Sequence, residues 1–403
     1  MAVAGRSVAI VGAGVGGLAA AIALARRGAQ VTVLEQAPAL GEVGAGLQIG
    51  PNGVAALEAL GLRPAAEAVA TNPRAVELRD GRDARLVARL PLGPGCEARY
   101  GRPYWQMHRA DLLAVLVEAA LAEGACLRTN ARVAEAAARP GGVRLTLADG
   151  AALEADLCIG ADGLRSALRG AHFDGAAPRF AGAVAWRGLV PAERLPEGLL
   201  APAATVFMGP GRHLVAYPLR EGRVWNFVAV EERADWTEEG WSVPADPAHL
   251  RAAFAGWAEP VTRLLAAVEE TFLWGLFLHP PLRSWTRGRI ALLGDACHPM
   301  TPFLAQGACM ALEDAWVLAA ALDETDDLEA GLKAYEARRI GRAIRVQRAA
   351  ASAGRVYHLR QPLIRRGVHL GLAAASRLAP GLLLGRFDWL YGVDVAGATV
   401  RRK

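Results

Sequence analysis

Near the start of the chain a short apolar run at residues 7–11 leads directly into Gly12-Ala13-Gly14-Val15-Gly16-Gly17, and an alanine- and leucine-rich stretch follows at 18–27. The first run has strand composition and the last has helix composition, with Gly28 placed to end the helix. Residues 30–34 form a second β-rich run that stops at Glu35. Strand, glycine turn, helix and strand open a parallel α/β sheet. Each glycine has a physical task there. Gly12 permits the tight turn, Gly14 lets the backbone approach a pyrophosphate, and Gly17 allows helix and sheet to pack closely. The phosphates then meet the free N–H groups of the helix N-terminus. Glu35, at the end of the second strand, suits the hydroxyls of an adenosine ribose, which favours FAD or NAD over a 2′-phosphorylated nucleotide.

What surrounds this turn excludes several classes. Apolar residues make up 53% of 403 positions, enough to bury a large core in two interlocked lobes. The net charge of +5 comes from arginines scattered along the whole chain. Basic runs interleaved with aromatics are lacking, so no nucleic-acid partner is expected. Cys96, Cys126, Cys158, Cys297 and Cys309 show no Cys-x-x-Cys or Cys/His ligand spacing, so no metal is expected either. Each thiol reads as a small buried apolar group in a reducing, cytoplasmic setting. The apolar stretches 8–25 and 368–384 are not read as membrane spans. Glycines crowd the first, and Arg377 and Pro380 interrupt the second.

Further along, helices are expected at 51–60, closed by Gly61, and at 111–123, closed by Gly124. Residues 75–92 and 143–157 read as strands, the latter turning at Asp149-Gly150. Four short strands at 183–190, 205–208, 213–219 and 224–230 have Gly209-Pro210-Gly211 and Glu221-Gly222 in their turns, which predicts an antiparallel sheet inserted between α/β segments. A buried strand at 289–293 precedes helices at 310–322 and 328–354, the second with many arginines on one side.

Two more motifs stand out. One runs Asp156-Leu157-Cys158-Ile159-Gly160-Ala161-Asp162-Gly163, and the other Gly294-Asp295-Ala296-Cys297-His298-Pro299, continuing to Gln306-Gly307-Ala308. Taken with the glycine turn and in this order, they resemble the group A flavoprotein aromatic monooxygenases that share the fold of para-hydroxybenzoate hydroxylase. Within that family the nearest likeness is the salicylate hydroxylase, 3-hydroxybenzoate 6-hydroxylase and 6-hydroxynicotinate 3-monooxygenase branch, and Trp389-Leu390-Tyr391-Gly392-Val393-Asp394 resembles its chain ends. The resemblance implies an α/β fold: a Rossmann-like FAD-binding domain (1–74, 101–171 and 286–353) interlocked with an antiparallel-sheet substrate domain (75–100 and 172–285), then a C-terminal helical segment (354–403). It implies non-covalent FAD held by Gly12, Gly14, Gly17, Glu35, Gln36, Arg109, Val133, Asp162, Asp295, Gly307 and Ala308, with Asp295 on a ribityl hydroxyl. A helix starting near Gly307 presents N–H groups suited to the negative edge of a reduced flavin. No second glycine turn of similar quality occurs, in keeping with a family that binds NADH or NADPH only transiently.

On the substrate side, His213 and Tyr217 stand four positions apart on one strand and share a face. The pair resembles the His-x-x-x-Tyr of the branch, which engages the substrate's ring hydroxyl, and histidine suits the removal of a phenolic proton near neutrality. Pro302 matches a position beside the substrate ring. Phe303 and Gln48 stand where the hydroxynicotinate enzyme has histidines, which counts against that substrate. Arg187 is a candidate partner for a carboxylate. The expected activity is hydroxylation of a small aromatic substrate such as salicylate or 3-hydroxybenzoate with dioxygen and NAD(P)H. A larger or polycyclic substrate, or a flavin reductase or redox-gated interaction protein that never hydroxylates, are the rival readings, and a homodimer is left open.

Overall fold

The computed structural model describes residues 3–41, 46–173, 176–234, 236 and 243–400. Gly44 and Ala45 of the segment before Gln48, and residues 401–403 of the expected C-terminal segment, lie outside these.

Ser7–Val11 is a strand with four of its five residues buried, and it sits at the centre of a sheet because it is apolar on both faces. It pairs in parallel with Gln30–Leu34 on one side and Leu157–Gly160 on the other. Cys126–Arg128 and Ile290–Leu292 extend the parallel set, and Thr286–Arg287 closes it antiparallel, giving six strands among the described residues. Val15–Ala25 is alanine-rich and buried on every side from Val15 to Leu24. It is packed between the sheet, Arg109–Ala122 and Gly307–Asp323. A helix apolar all round is stable only when so enclosed. It begins at Val15, three residues earlier than the alanine run suggests, because Gly14 takes the extended cap conformation.

The inserted sheet has eight strands among the described residues. Its middle, Arg179–Pro191, Val224–Glu232, Arg212–Leu219 and Ala204–Gly209, is antiparallel as the turn residues imply. The whole is mixed, however: Ala75–Asp80 joins Ala204–Gly209 in parallel, since the chain between them returns through the other sheet before pairing. Thr271–Leu278, in a region where the sequence reading gives no element, pairs with Arg179–Pro191. Strand alternation divides the residues between two faces. Leu214, Ala216, Phe227 and Trp186 pack with Leu250, Phe254, Val261 and Leu264 of two short helices. The alternate set, His213, Val215, Tyr217, Val228 and Val230, faces a cavity.

The arginines of the long helix Leu328–Tyr357 do not all meet solvent. Arg339 is buried and donates to Asp314 through Nε at 2.6 Å and to Glu313 through Nη1 at 2.6 Å. Arg342 donates to Glu313 as well, and Asn52 donates to Glu313 and to Gln306. Asp314 also meets His298 Nε2 at 2.5 Å and accepts from the Gly294 N–H. Asp314 titrates at about 2, because His298 and Arg339 outweigh the burial that opposes its charge. The network fixes both ends of the 294–307 loop. Gln347 then donates to the carbonyl of Pro299, and the Tyr357 hydroxyl to that of Phe303.

The cysteines are free thiols, four of them buried. Cys126 departs from the expectation, since it lies exposed on the edge strand of the parallel sheet. Among the described residues no helix is long and apolar enough to cross a membrane.

Candidate active site

One cavity of about 680 Å³ runs from the glycine turn to the inner face of the mixed sheet. At one end the turn is shaped for an anion. Gly12 has φ +104°, and a Cβ on it would meet the carbonyl oxygen of Ala161 at 2.4 Å. A Cβ on Gly17 would meet the Gly12 oxygen at 2.0 Å, so Gly17 serves the packing and does not itself line the cavity. Gly14 has nothing within 4 Å of a Cβ, so the turn is open on its ligand side. No side chain caps the helix that starts at Val15, which leaves its first N–H groups for a phosphate.

Around this turn the acceptors are held in place. Glu35 accepts from the Ala13 and Ala37 N–H groups, both at 2.9 Å, so its carboxylate is fixed in the wall beside Gln36. Asp162 accepts from Ala167 N–H with one oxygen, while its Oδ1 is buried with no hydrogen-bond partner. Burial raises its proton affinity, against the pull of hydrogen bonds from Ser166 and the following backbone. Val133 and Arg109 complete this part of the wall.

Asp295 follows the strand Ile290–Leu292 and lines the same cavity. Burial also raises its carboxyl above the usual range, with His298 and Arg109 pulling the other way. Gly307 and Ala308 open the helix Gly307–Asp323, which has no side-chain cap at Gln306, so its positive end is free toward the cavity. Together these residues fit FAD. The open turn and uncapped helix suit pyrophosphate, and the orphaned Asp162 oxygen and buried Asp295 are acceptors for hydroxyls. A second uncapped helix end suits the electron-rich edge of a flavin.

The mixed sheet forms the other end. His213 and Tyr217 line it with Val215, Val228, Val230, Trp274 and Leu276, and Pro302 and Phe303 come from the loop. His213 is buried, and burial lowers its pKa well below 6.5 with help from neighbouring His358, so the ring is neutral at pH 7. Burial raises the Tyr217 pKa, keeping the phenol protonated and able to donate. Gln48 also lines the cavity and accepts from the Tyr104 hydroxyl at 2.9 Å. Phe303 stands edge-on to His213 at 5.3 Å between ring centres.

Of the expected site residues, only Gly17 and Arg187 are missing from the wall. Arg187 is buried on the cavity face of its strand, opposite Val228, with its guanidinium 5.0 Å from the centre of the Trp274 ring, and it does not itself line the cavity. The cavity's arginines, Arg109, Arg132 and Arg165, come from outside the mixed sheet. Trp274, Val228 and His358 escaped the sequence reading. An apolar run such as Thr271–Leu278 was the one available signal, and it does not say which face a residue takes.

The chain belongs to the FAD binding domain family, whose model matches residues 6–350. It is 40% identical over 390 residues to the 3-amino-4-hydroxybenzoate 2-monooxygenase PtmB3 of Streptomyces platensis, covering 96% of each chain. It is 35% identical over 399 residues to the 3-hydroxybenzoate 6-hydroxylase of Polaromonas naphthalenivorans (strain CJ2), covering 98% of each. A solved salicylate hydroxylase substrate complex superposes with a TM-score of 0.81 at 30% identity, over 98% of this chain and 97% of that one. The protein is therefore an FAD-dependent monooxygenase of the flavoprotein hydroxylase class, a class that takes its electrons from NAD(P)H.

Proposed function

We propose that this enzyme hydroxylates the ring of a small phenolic acid of the hydroxybenzoate or aminohydroxybenzoate type. The observation that carries the reading is that His213 and Tyr217 share one wall of the cavity whose opposite end carries the glycine turn and Asp295. FAD, reduced by NAD(P)H, supplies the activation of dioxygen. The protein's own residues do the rest. Val215, Val228, Trp274 and Phe303 exclude water and hold an aromatic ring. Tyr217 donates to the ring hydroxyl, and His213, neutral at pH 7, removes its proton so that the ring becomes electron-rich. The free thiols support a reducing cytoplasm as the setting. Leu363, Ile364, Leu370, Leu378 and Leu382, exposed on the C-terminal helices, support pairing with a second copy, which light scattering of the holoenzyme checks.

The test is a screen of NAD(P)H oxidation with 3-amino-4-hydroxybenzoate, 3-hydroxybenzoate and salicylate, with product quantified alongside. Stimulation together with a hydroxylated product supports the reading. Oxidation that none of the three stimulates, or that yields hydrogen peroxide alone, contradicts it.

A further inference from the structure

His213 does not stand alone. Its Nδ1 lies 2.6 Å from Nε2 of His358, the residue that caps the long helix Leu328–Tyr357. The other nitrogen of His358, Nδ1, lies 3.0 Å from Oε1 of Glu232 at the end of the neighbouring strand. Arg360 reaches Glu232 Oε2 through Nε at 3.0 Å and Nη2 at 2.5 Å. Exposure rises along this line: His213 1% and His358 6%, then the side chains of Glu232 at 36% and Arg360 at 66%. An unbroken file of hydrogen bonds thus joins the cavity wall to solvent.

We infer that Glu232 and His358 act as a proton relay behind His213, setting its tautomer and carrying the substrate's phenolic proton to the surface. The inference rests on the function proposed above. A carboxylate only accepts, so Glu232 requires a proton on His358 Nδ1. His358 Nε2 is then a lone pair, which requires the proton of His213 to sit on Nδ1. That leaves the lone pair of His213 on Nε2, in a ring that lines the cavity. The three segments are also tied by backbone, since Gly211 N–H donates to the His358 carbonyl and Glu232 N–H to that of Gly211.

The transfer balances. The phenolic O–H breaks as N–H forms at His213 Nε2. The proton on His213 Nδ1 passes to His358 Nε2, and the one on His358 Nδ1 leaves by way of Glu232 to water. The reverse flow protonates the phenolate of the product and restores the starting tautomers. The charged and titratable groups around the file are Tyr357 on the same helix, Glu231 paired with Arg212 and Arg233, and Arg360 on Glu232. Burial lowers the His358 pKa, Glu232 raises it and Arg360 lowers it, so His358 is a neutral carrier at pH 7.

The experiment mixes oxidised holoenzyme in weak buffer with whichever of 3-hydroxybenzoate, salicylate and 3-amino-4-hydroxybenzoate is hydroxylated fastest. Proton release is followed with a pH indicator and phenolate formation by its absorbance. The variants are His358→Gln, Glu232→Gln and His213→Ala, with FAD content as the control for folding. Both relay variants should keep FAD and bind the acid while proton release slows by about 10-fold or more. The pH profile of that rate should also change, which a merely structural role would not cause. Wild-type release in Glu232→Gln, a partly exposed and nearly isosteric change that does not threaten folding, overturns the relay. If His213→Ala alone slows release, the relay fails and the base survives. If the wild type hydroxylates none of the three acids, the functional reading fails and takes the relay with it.

Discussion

His213 carries a different chemistry from a histidine in water, because its surroundings hold it neutral where a free imidazole begins to charge. His213→Ala should keep FAD and still be reduced by NAD(P)H, since neither step uses this base, while ring attack slows by about 10²–10⁴-fold. The ratio of hydroxylated product to NAD(P)H consumed reads this directly, and a wild-type ratio would remove His213 from the chemistry. The sign of its shift also fixes a pH limit. A lowered pKa means that the accepting form persists below 6.5, so coupling should hold from neutrality down past that value and fall only beneath it. A fall centred at or above 6.5 would show the imidazole to be unshifted. Asp295 and Asp162 make a second comparison. Asp295→Ala should weaken FAD binding more than Asp162→Ala, by about 1–3 kcal/mol, because a buried acceptor is lost from beside the helix at Gly307. Titration of both apo-variants with FAD decides the order, and the reverse order would mean that the ribityl acceptor has been misassigned.

The elements that place these residues were unevenly legible in the sequence. The strand, turn and helix at 7–25 could be read because local composition and glycine sterics dictate them. The antiparallel strands holding His213 and Tyr217 were legible from their turns. Thr271–Leu278 was not, since a short apolar run without flanking turn signals does not declare its type, and it supplies Trp274 to the cavity. The arginines of Leu328–Tyr357 were legible as a set on one side of a helix, but not that Arg339 turns inward to a carboxylate pair on Gly307–Asp323. Arg339→Met should leave Glu313 paired with Arg342 and Asp314 with His298, each short of a buried donor. The expected cost is about 1–3 kcal/mol, read by urea unfolding of the holoenzyme. An unchanged midpoint would show that the network does not hold the helices. Asp314 adds a pH signature. Its folded pKa of about 2 lies below the ordinary 3.8, so its contribution is present above 3.8 and is lost as pH falls from there toward 2.

At the scale of the whole molecule, the cofactor end was more legible than the substrate end. The cofactor residues sit within short motifs whose spacing encodes their geometry. The substrate wall is assembled from strands far apart in the chain, so His213 and His358, 145 positions apart, could not be joined from sequence. Arg187 shares the cavity face of its strand, opposite Val228, but its guanidinium lies against the Trp274 ring and does not line the cavity, a side-chain placement that no spacing in the sequence encodes. The chemistry assigned to this assembly is the insertion of oxygen into an aromatic ring. The most direct measurement supplies the holoenzyme with NAD(P)H, 3-amino-4-hydroxybenzoate, 3-hydroxybenzoate or salicylate, and oxygen-18 gas, and weighs the aromatic product by mass spectrometry. A product carrying a single heavy oxygen atom from the gas is the predicted result. Unchanged aromatic acid, with NAD(P)H consumed and all the label in hydrogen peroxide, would contradict it.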